Sequence, residues 1–528
     1  MSGSEQSQRM RGGQPVFILS EDSERTQGRD ARTSNIAAGK AVAEAVRTTL
    51  GPRGMDKMLV SDAGDVVITN DGATILDEMD IEHPAAQMLV EVAESQEEEV
   101  GDGTTSAGVL AGELLSEAED FIDKDIHPTT IVEGYARARD IALETLDEIT
   151  LDVDLDDDTL VKVSRSAMTG KGTGGVTAGA LAEDIVRAVR QVEEDGSIDE
   201  EDIQIVTQAG ESSSATRMIE GVLVDEEPIR DDMPRNVEDP TVAIVDTDLE
   251  TRETEVDVEY NVQSADQLDT AIESEQRELR AYADALEEAG VDVAFVTGDV
   301  ADMTAGFLAN MGILTFESID DDDAAVLSRS TGASRMATID DIQPDELGHA
   351  ETVRVETFDE DELAFVEGGS ESESVTLFVR AGTEHVLDEL ERAVQDGVDS
   401  VVAAVEKGGV VPGAACTEVQ LADAIRSEAA GVGGREQLAV QAFGDALEAI
   451  PRTIAENTGM DPIDALVDVR AANEDGRAGI ISADERGTVE DPVEHGVLDP
   501  AAVKREMLQS ATEAATMIVR IDDVISAD

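Results

Sequence analysis

Three short segments carry residue types that can do phosphate chemistry. The first, Gly101-Asp102-Gly103-Thr104-Thr105-Ser106, runs directly into a helical pattern through Val109, Leu110, Leu114 and Leu115. Two glycines let backbone approach an anion closely, successive N–H groups at a helix N-terminus bind phosphate oxygens, and an aspartate in the loop can hold the accompanying Mg²⁺. Its plainer reading is a Gly/Asp turn with a threonine N-cap. The second, Thr49-Leu50-Gly51-Pro52-Arg53-Gly54-Met55-Asp56-Lys57, combines a stiff glycine-proline turn with two cations; its plainer reading is a helix stop and turn. The third, Asn70-Asp71-Gly72-Ala73-Thr74, offers a carboxylate in a turn, and by itself reads as an Asp-Gly hairpin.

Other motifs point away from familiar chemistries. Gly170-Lys171-Gly172-Thr173-Gly174-Gly175 satisfies G-x-G-x-x-G, but Leu160 to Ala167 before it is not a buried strand, so a dinucleotide-binding unit is not expected. No G-x-x-x-x-G-K is followed by Ser or Thr, which removes a P-loop. Cys416 is the only cysteine. It rules out internal disulfides and Cys-based zinc sites, and reads as a small buried filler. The five histidines, His83, His127, His349, His385 and His495, contain no i, i+4 pair for a helical metal site.

Charge narrows the partners. In 528 residues, 38 Lys and Arg stand against 120 Asp and Glu, a formal net charge of −82. Such a chain repels polyanions, which excludes nonspecific nucleic-acid binding and docking to an anionic membrane. The acids are spread along the chain while 41% of residues are hydrophobic, so this is a globular protein with a charged skin. Lysine occurs seven times, at Lys40, Lys57, Lys124, Lys162, Lys171, Lys407 and Lys504. An acidic, lysine-poor surface suits a cytosol with molar salt, where the Debye length falls to about 3 Å. No apolar run approaches a membrane span and no secretory leader is visible, so a soluble, cytoplasmic protein is expected.

The elements that must position these segments come in three stretches, as the length suggests at roughly 150 residues per domain. The first third is helical: Ile36, Val42, Val46 and Leu50 share a face that stops at Gly51-Pro52, and Val66 to Thr69 is strand-like. The middle third alternates β-rich pieces (Thr241 to Val245, Val291 to Val296, Ile313 to Phe316) with helices, the signature of an α/β domain. Within it Val256, Val258, Tyr260 and Val262 have strand period. Ser264-Ala265-Asp266-Gln267 then opens a long charged helix along Leu268, Ile272, Leu279, Tyr282 and Leu286. The last third returns to helix at Glu384 to Val405 and Ala501 to Val519, which suggests one domain made from both ends of the chain. With only 12 aromatic residues and no Trp, the cores must be built from Ala, Val, Leu and Ile.

Taken in order, these pieces resemble the group II chaperonins, the thermosome family of archaea, in a haloarchaeal form. The resemblance spans about Thr33 to Ala527. It rests on the three segments above, extended to Met58-Leu59 and to Thr69 through Leu76, on Ala167-Met168-Thr169-Gly170-Lys171, on Gly382-Thr383-Glu384-His385, and on Ala514-Ala515 through Arg520-Ile521-Asp522-Asp523-Val524-Ile525. It implies a chaperonin fold: a mainly α equatorial ATPase domain from both chain ends (1–155 and 412–528), a small α/β intermediate domain (156–223 and 376–411), and an α/β apical domain (224–375). The helical protrusion at about 250–286 would be a built-in lid.

The resemblance also implies roles. Asp102 matches the Mg²⁺-binding aspartate, with Gly103, Thr104, Thr105 and Ser106 beside the phosphates of ATP and Leu50, Gly51 and Pro52 in the turn over them. Asp71 matches a carboxylate that helps position the attacking water and Asp396 the one that activates it. Lys171 matches a γ-phosphate sensor. Gly413, Ala414, Gly479 and Asp499 fall on the adenosine side, where the family's Val-Pro-Gly-Gly-Gly-Ala is here Val411-Pro412-Gly413-Ala414-Ala415-Cys416. The two added methyls are harmless at negative φ and costly where a glycine conformation is needed. The implied activity is Mg-ATP-driven folding of unfolded protein clients inside a double ring of this chain and paralogous subunits. The alternative is a structural subunit that binds nucleotide and turns over little or none.

Overall fold

The computed structural model describes residues 24–526 apart from 62–63, 65, 172–177, 195, 252–264, 340, 359–360, 370–373, 475 and 484–485. The Val256–Val262 strand, Ser264 and Gly172 to Gly175 therefore lie outside the described residues, as do the side chains of Leu268 and Ile272.

Apolar side chains at helical spacing build the largest core from two distant stretches of chain. Helices Arg29–Arg47, Pro84–Val100, Thr104–Asp123 and Pro128–Ile149 pack with Cys416–Ala429, Glu436–Leu447, Ala449–Asn457 and Ala501–Arg520. Ile36, Val42, Val46 and Leu50 are all buried in this core, although the helix carries only the first three and ends at Arg47, leaving Leu50 in the link to the Gly51-Pro52 turn. Aromatic scarcity shows directly: Tyr135 meets Phe443 edge-on at 6.0 Å and donates its hydroxyl to the Leu114 carbonyl at 2.8 Å. Nearly everything else there is Ala, Val, Leu or Ile. Strand Glu24–Gln27 pairs antiparallel with Asp523–Ser526, Glu24 opposite Ser526, tying the two stretches together.

A second core lies where helices Asp157–Ala167, Ala178–Val192 and Glu384–Lys407 cover a three-stranded sheet. Its central strand, Val375–Ala381, runs parallel to Ile203–Ala209 and antiparallel to Arg217–Ile219. The segment before Gly170 is thus a helix, and no strand precedes the G-x-G-x-x-G run, as expected.

The third core is α/β. Strand Thr241–Val245 lies between parallel neighbours Val293–Val296 and Arg335–Met336, with Leu314–Phe316 beyond and Gly348–His349 pairing antiparallel. Two strands start later than expected, at Val293 and Leu314, because the N–H groups of Val291 and Ile313 are bonded back to the preceding helices at the Leu286 and Leu308 carbonyls. Phe295 and Phe316 stack at 5.0 Å, and Leu279 and Leu286 of helix Ala265–Ala289 are buried on this side. A four-stranded antiparallel sheet, Gly221–Val224, Asp361–Glu367, Thr352–Phe358 and Asn236–Glu238 in that order, adjoins it. Among the described residues no helix is long and apolar enough to cross a membrane.

Candidate nucleotide site

The three phosphate-type segments converge on one cavity of about 470 Å³ inside the two-part helical core. Leu50, Gly51, Pro52, Asp71, Asp102, Gly103, Thr104, Thr105, Ser106, Lys171, Ala414 and Asp499 line it. Asp396, Gly413 and Gly479 do not; each stands one contact behind the wall.

Local sequence explains the phosphate-type end. Helix Pro84–Val100 stops because Gly101 takes a left-handed C-cap, φ 62°, and Gly103 repeats the trick at φ 87° as N-cap of helix Thr104–Asp123. A methyl on Gly103 would sit 2.8 Å from Val503 Cγ1, so only glycine fits there. Because glycine has no side chain to cap with, the first N–H groups of a 20-residue helix face the cavity without a side-chain partner. Gln96 Nε2 donates to the Asp102 carbonyl at 2.7 Å, and Asp102 Oδ1 accepts from the Gly103 N–H at 2.6 Å.

The Asn70-Asp71-Gly72 turn is not a hairpin. Strand Val66–Thr69 pairs backwards with Lys57–Val60, and Asp71 instead caps the short helix Gly72–Asp77, its Oδ2 accepting from Thr74 N–H and Oγ1 at 2.8 Å. The cap wins because Thr74 supplies two donors at the N3 position. Asn70 Nδ2 donates to the Gly170 carbonyl at 2.8 Å, which draws the Lys171 loop over the cavity.

Lys171 and Asp396 form one ion pair, with side chains 16% and 5% exposed. Asp396 lies midway along helix Glu384–Lys407, so the second core delivers a carboxylate to a cavity built in the first. The surroundings are strongly acidic. Burial raises the Asp102 carboxyl above its usual range, with Lys171 opposing and Asp499 adding. Glu97 is pushed up to about 8, chiefly by burial and then by Asp71, and Asp399 to about 7, chiefly by burial. Carboxylates held this way gain from an incoming cation.

The residues fit a cation that arrives with a polyphosphate. Among the described residues no three His, Cys, Asp or Glu side chains form a metal-binding group, so a resident ion has no cage. Mg²⁺ needs none: it keeps several waters and takes one or two carboxylates plus phosphate oxygens. Ile450, Ile454, Ile480 and Ile481 also line the cavity and give it an apolar slot suited to a flat base. These isoleucines escaped the reading of the sequence because apolar side chains carry no chemical signal. Glu418 and Lys504, also lining the cavity, escaped it too, although the rarity of lysine could have pointed to Lys504.

Ala414 and Ala415 sit at φ 57° and 62°, the glycine conformation. The Ala414 carbonyl accepts from Ile480 N–H at 2.9 Å, which holds Ile480 and Ile481 at the wall with Gly479 behind it. A left-handed alanine costs about 1 kcal/mol or more relative to glycine, offset by about 0.5 kcal/mol through the stiffer unfolded chain. We therefore expect Ala415→Gly to raise the denaturant midpoint in molar KCl, a net gain of about 0.5 kcal/mol. An unchanged or lower midpoint would show the position to be unstrained. Cys416, next in line, is buried, and burial pushes its thiol up to about 12. It is a filler, as its surroundings in the sequence suggested.

A family model, described as the TCP-1/cpn60 chaperonin family, matches residues 42–528. The chain belongs to the TCP-1/cpn60 chaperonin family. It is 62% identical over 517 residues to thermosome subunit 3 of Haloferax volcanii, covering 97% of this chain and 99% of that protein. It is 50% identical to thermosome subunit alpha of Halobacterium salinarum over 519 residues (98% and 92% covered), and 50% identical to the thermosome subunit of Methanopyrus kandleri over 522 residues (98% and 95%). Within the family it is a group II chaperonin subunit of haloarchaeal type, a protein-folding ATPase.

Proposed function

We propose that the cavity binds ATP with Mg²⁺ and that hydrolysis there drives closure of a lid over captured, unfolded protein. The observation that carries this reading is the pairing, at one end of a single cavity, of the uncapped helix start at Gly103 with Asp102. The N–H groups of Thr104, Thr105 and Ser106 would hold phosphate oxygens, and the turn at Gly51-Pro52 would cover them. Asp102 would hold Mg²⁺, which when bound neutralises charge on the phosphates. Asp71 would orient a water and Asp396 would take its proton, while Lys171 would meet the γ-phosphate. Gly413, Ala414, Gly479 and Asp499 would frame the adenosine.

Residues 1–155 and 412–528 would then be the equatorial domain, 156–223 and 376–411 the hinge, and 224–375 the client-binding domain, with helix Ala265–Ala289 in the lid. Self-assembly, with paralogous subunits in stacked rings in the cytoplasm, has a natural foothold. Strand Lys57–Val60, paired with Val66–Thr69 in a sheet that has only these two strands among the described residues, exposes Met58 (67%) and Val60 (64%).

Phosphate release from ATP by the pure protein in molar KCl, with and without chelation of Mg²⁺, tests the reading. Mg²⁺-dependent turnover is expected. Nucleotide binding without turnover would favour the structural, non-hydrolysing subunit instead.

A further inference from the structure

Three charged side chains meet at the cavity wall in a way that the phosphate chemistry does not use. Lys504 Nζ lies 2.7 Å from Asp499 Oδ2 and 2.7 Å from Glu418 Oε1. The side chains of Lys504, Asp499 and Glu418 are 10%, 22% and 0% exposed. Burial alone would weaken the lysine's hold on its proton, but the two carboxylates more than reverse this, so the ammonium persists.

Asp499 is held at both its backbone and its carboxylate. It sits in strand Leu498–Pro500 opposite Val411, so its backbone is fixed by the ladder. Its Oδ2 is taken by Lys504, and its Oδ1 faces Gly413, where a methyl would come within 2.7 Å. Glu418 anchors the other side of the lysine, and its Oε2 has no hydrogen-bond partner among the described residues. A lysine on a flexible four-carbon stem, held by one carboxylate only, would swing toward an incoming polyphosphate. Held by two, it stays on Asp499.

We propose that Lys504 is a positioning residue: anchored by buried Glu418, it fixes the Asp499 carboxylate to accept hydrogen bonds from the ribose hydroxyls of the nucleotide. The inference rests on the reading of the cavity as an ATP site with Asp499 on the adenosine side. Asp499 reads the sugar, and Lys504 and Glu418 set its aim without touching the ligand's phosphates.

The test is equilibrium binding of ATP and of 2′,3′-dideoxy-ATP, which lacks both hydroxyls, to the assembled protein in molar KCl with Mg²⁺. A hydrogen bond to a charged group is worth about tenfold or more in affinity, so the parent should prefer ATP by at least about tenfold. In Lys504→Met the preference should fall below about threefold. Because that change strands two buried carboxylates, the double variant Glu418→Gln/Lys504→Met is measured beside it. It keeps the trio's net charge, so any lost preference reports aim and not repulsion of the phosphates. A parent with no preference overturns the ribose reading of Asp499 and the inference with it. A parent that prefers ATP, with the preference intact in the double variant, overturns the inference alone.

Discussion

Asp396→Ala should release phosphate from ATP at least about a hundredfold more slowly than the parent in molar KCl, while still binding the nucleotide. A positioned general base is worth roughly 10² to 10⁴ in rate, and the carboxylate in question is almost wholly buried, on a helix continuous with the second core. Binding should survive because the helix start at Gly103, the turn at Gly51-Pro52 and the isoleucine slot are built by other elements. The ion pair sharpens the expectation. Asp396 faces Lys171, and a base engaged by an ammonium is a weak base. A γ-phosphate that draws the lysine to itself would release the carboxylate, and base and sensor would then act in sequence. Equal hydrolysis by variant and parent would refute the assignment.

Lowering KCl from molar to about 0.1 M should dissociate the assembly into subunits. Each chain carries −82, and the screening length grows from about 3 Å to about 10 Å over that range, so like charges facing each other across a subunit contact repel over a longer reach. What opposes the repulsion is apolar contact through surfaces such as Met58 and Val60, in a chain with few exposed large hydrophobic residues. Arginine-carboxylate pairs within the subunit, for example Arg426 and Arg470 on buried Glu448, are screened little at any salt and lose nothing on dilution. Light scattering that shows intact particles after the dilution would overturn this balance.

Much of the site was legible because phosphate chemistry leaves local marks. Gly101 to Ser106, Gly51-Pro52 and Asp71 are each readable from glycine, acid and hydroxyl placement, and the structure brings all three to one cavity. The Asp71 turn reads as a hairpin by itself, since a hairpin and a helix cap share the Asn-Asp-Gly signature and the threonine at N3, Thr74, is what separates them. The Lys171–Asp396 pair was not legible, because it joins a loop and a helix more than 200 residues apart through the packing of two cores. Nor was the sign of φ at Ala414 and Ala415. Conformation there is imposed by the pairing of Ile480 to the Ala414 carbonyl against local preference. The helices at both ends of the chain and the α/β character of the middle third followed from period and β-branched runs, and among the described residues the ends of these elements drifted.

The large helical core is assembled from residues 36–146 and 411–519, and this has a price in time at the ribosome. About 260 residues must be translated between Leu146 and Val411, roughly 15 to 50 s at about 5–20 residues per second. For that interval the first helices expose apolar faces whose partners do not yet exist, and the sheet strand Glu24–Gln27 waits for the final residues. Contacts of such sequence separation make folding slow and leave the nascent chain open to aggregation. A subunit of a folding machine is thus itself a demanding client, and the cavity, lined in part by Val503, Lys504 and Met507, cannot exist until helix Ala501–Arg520 has left the exit tunnel.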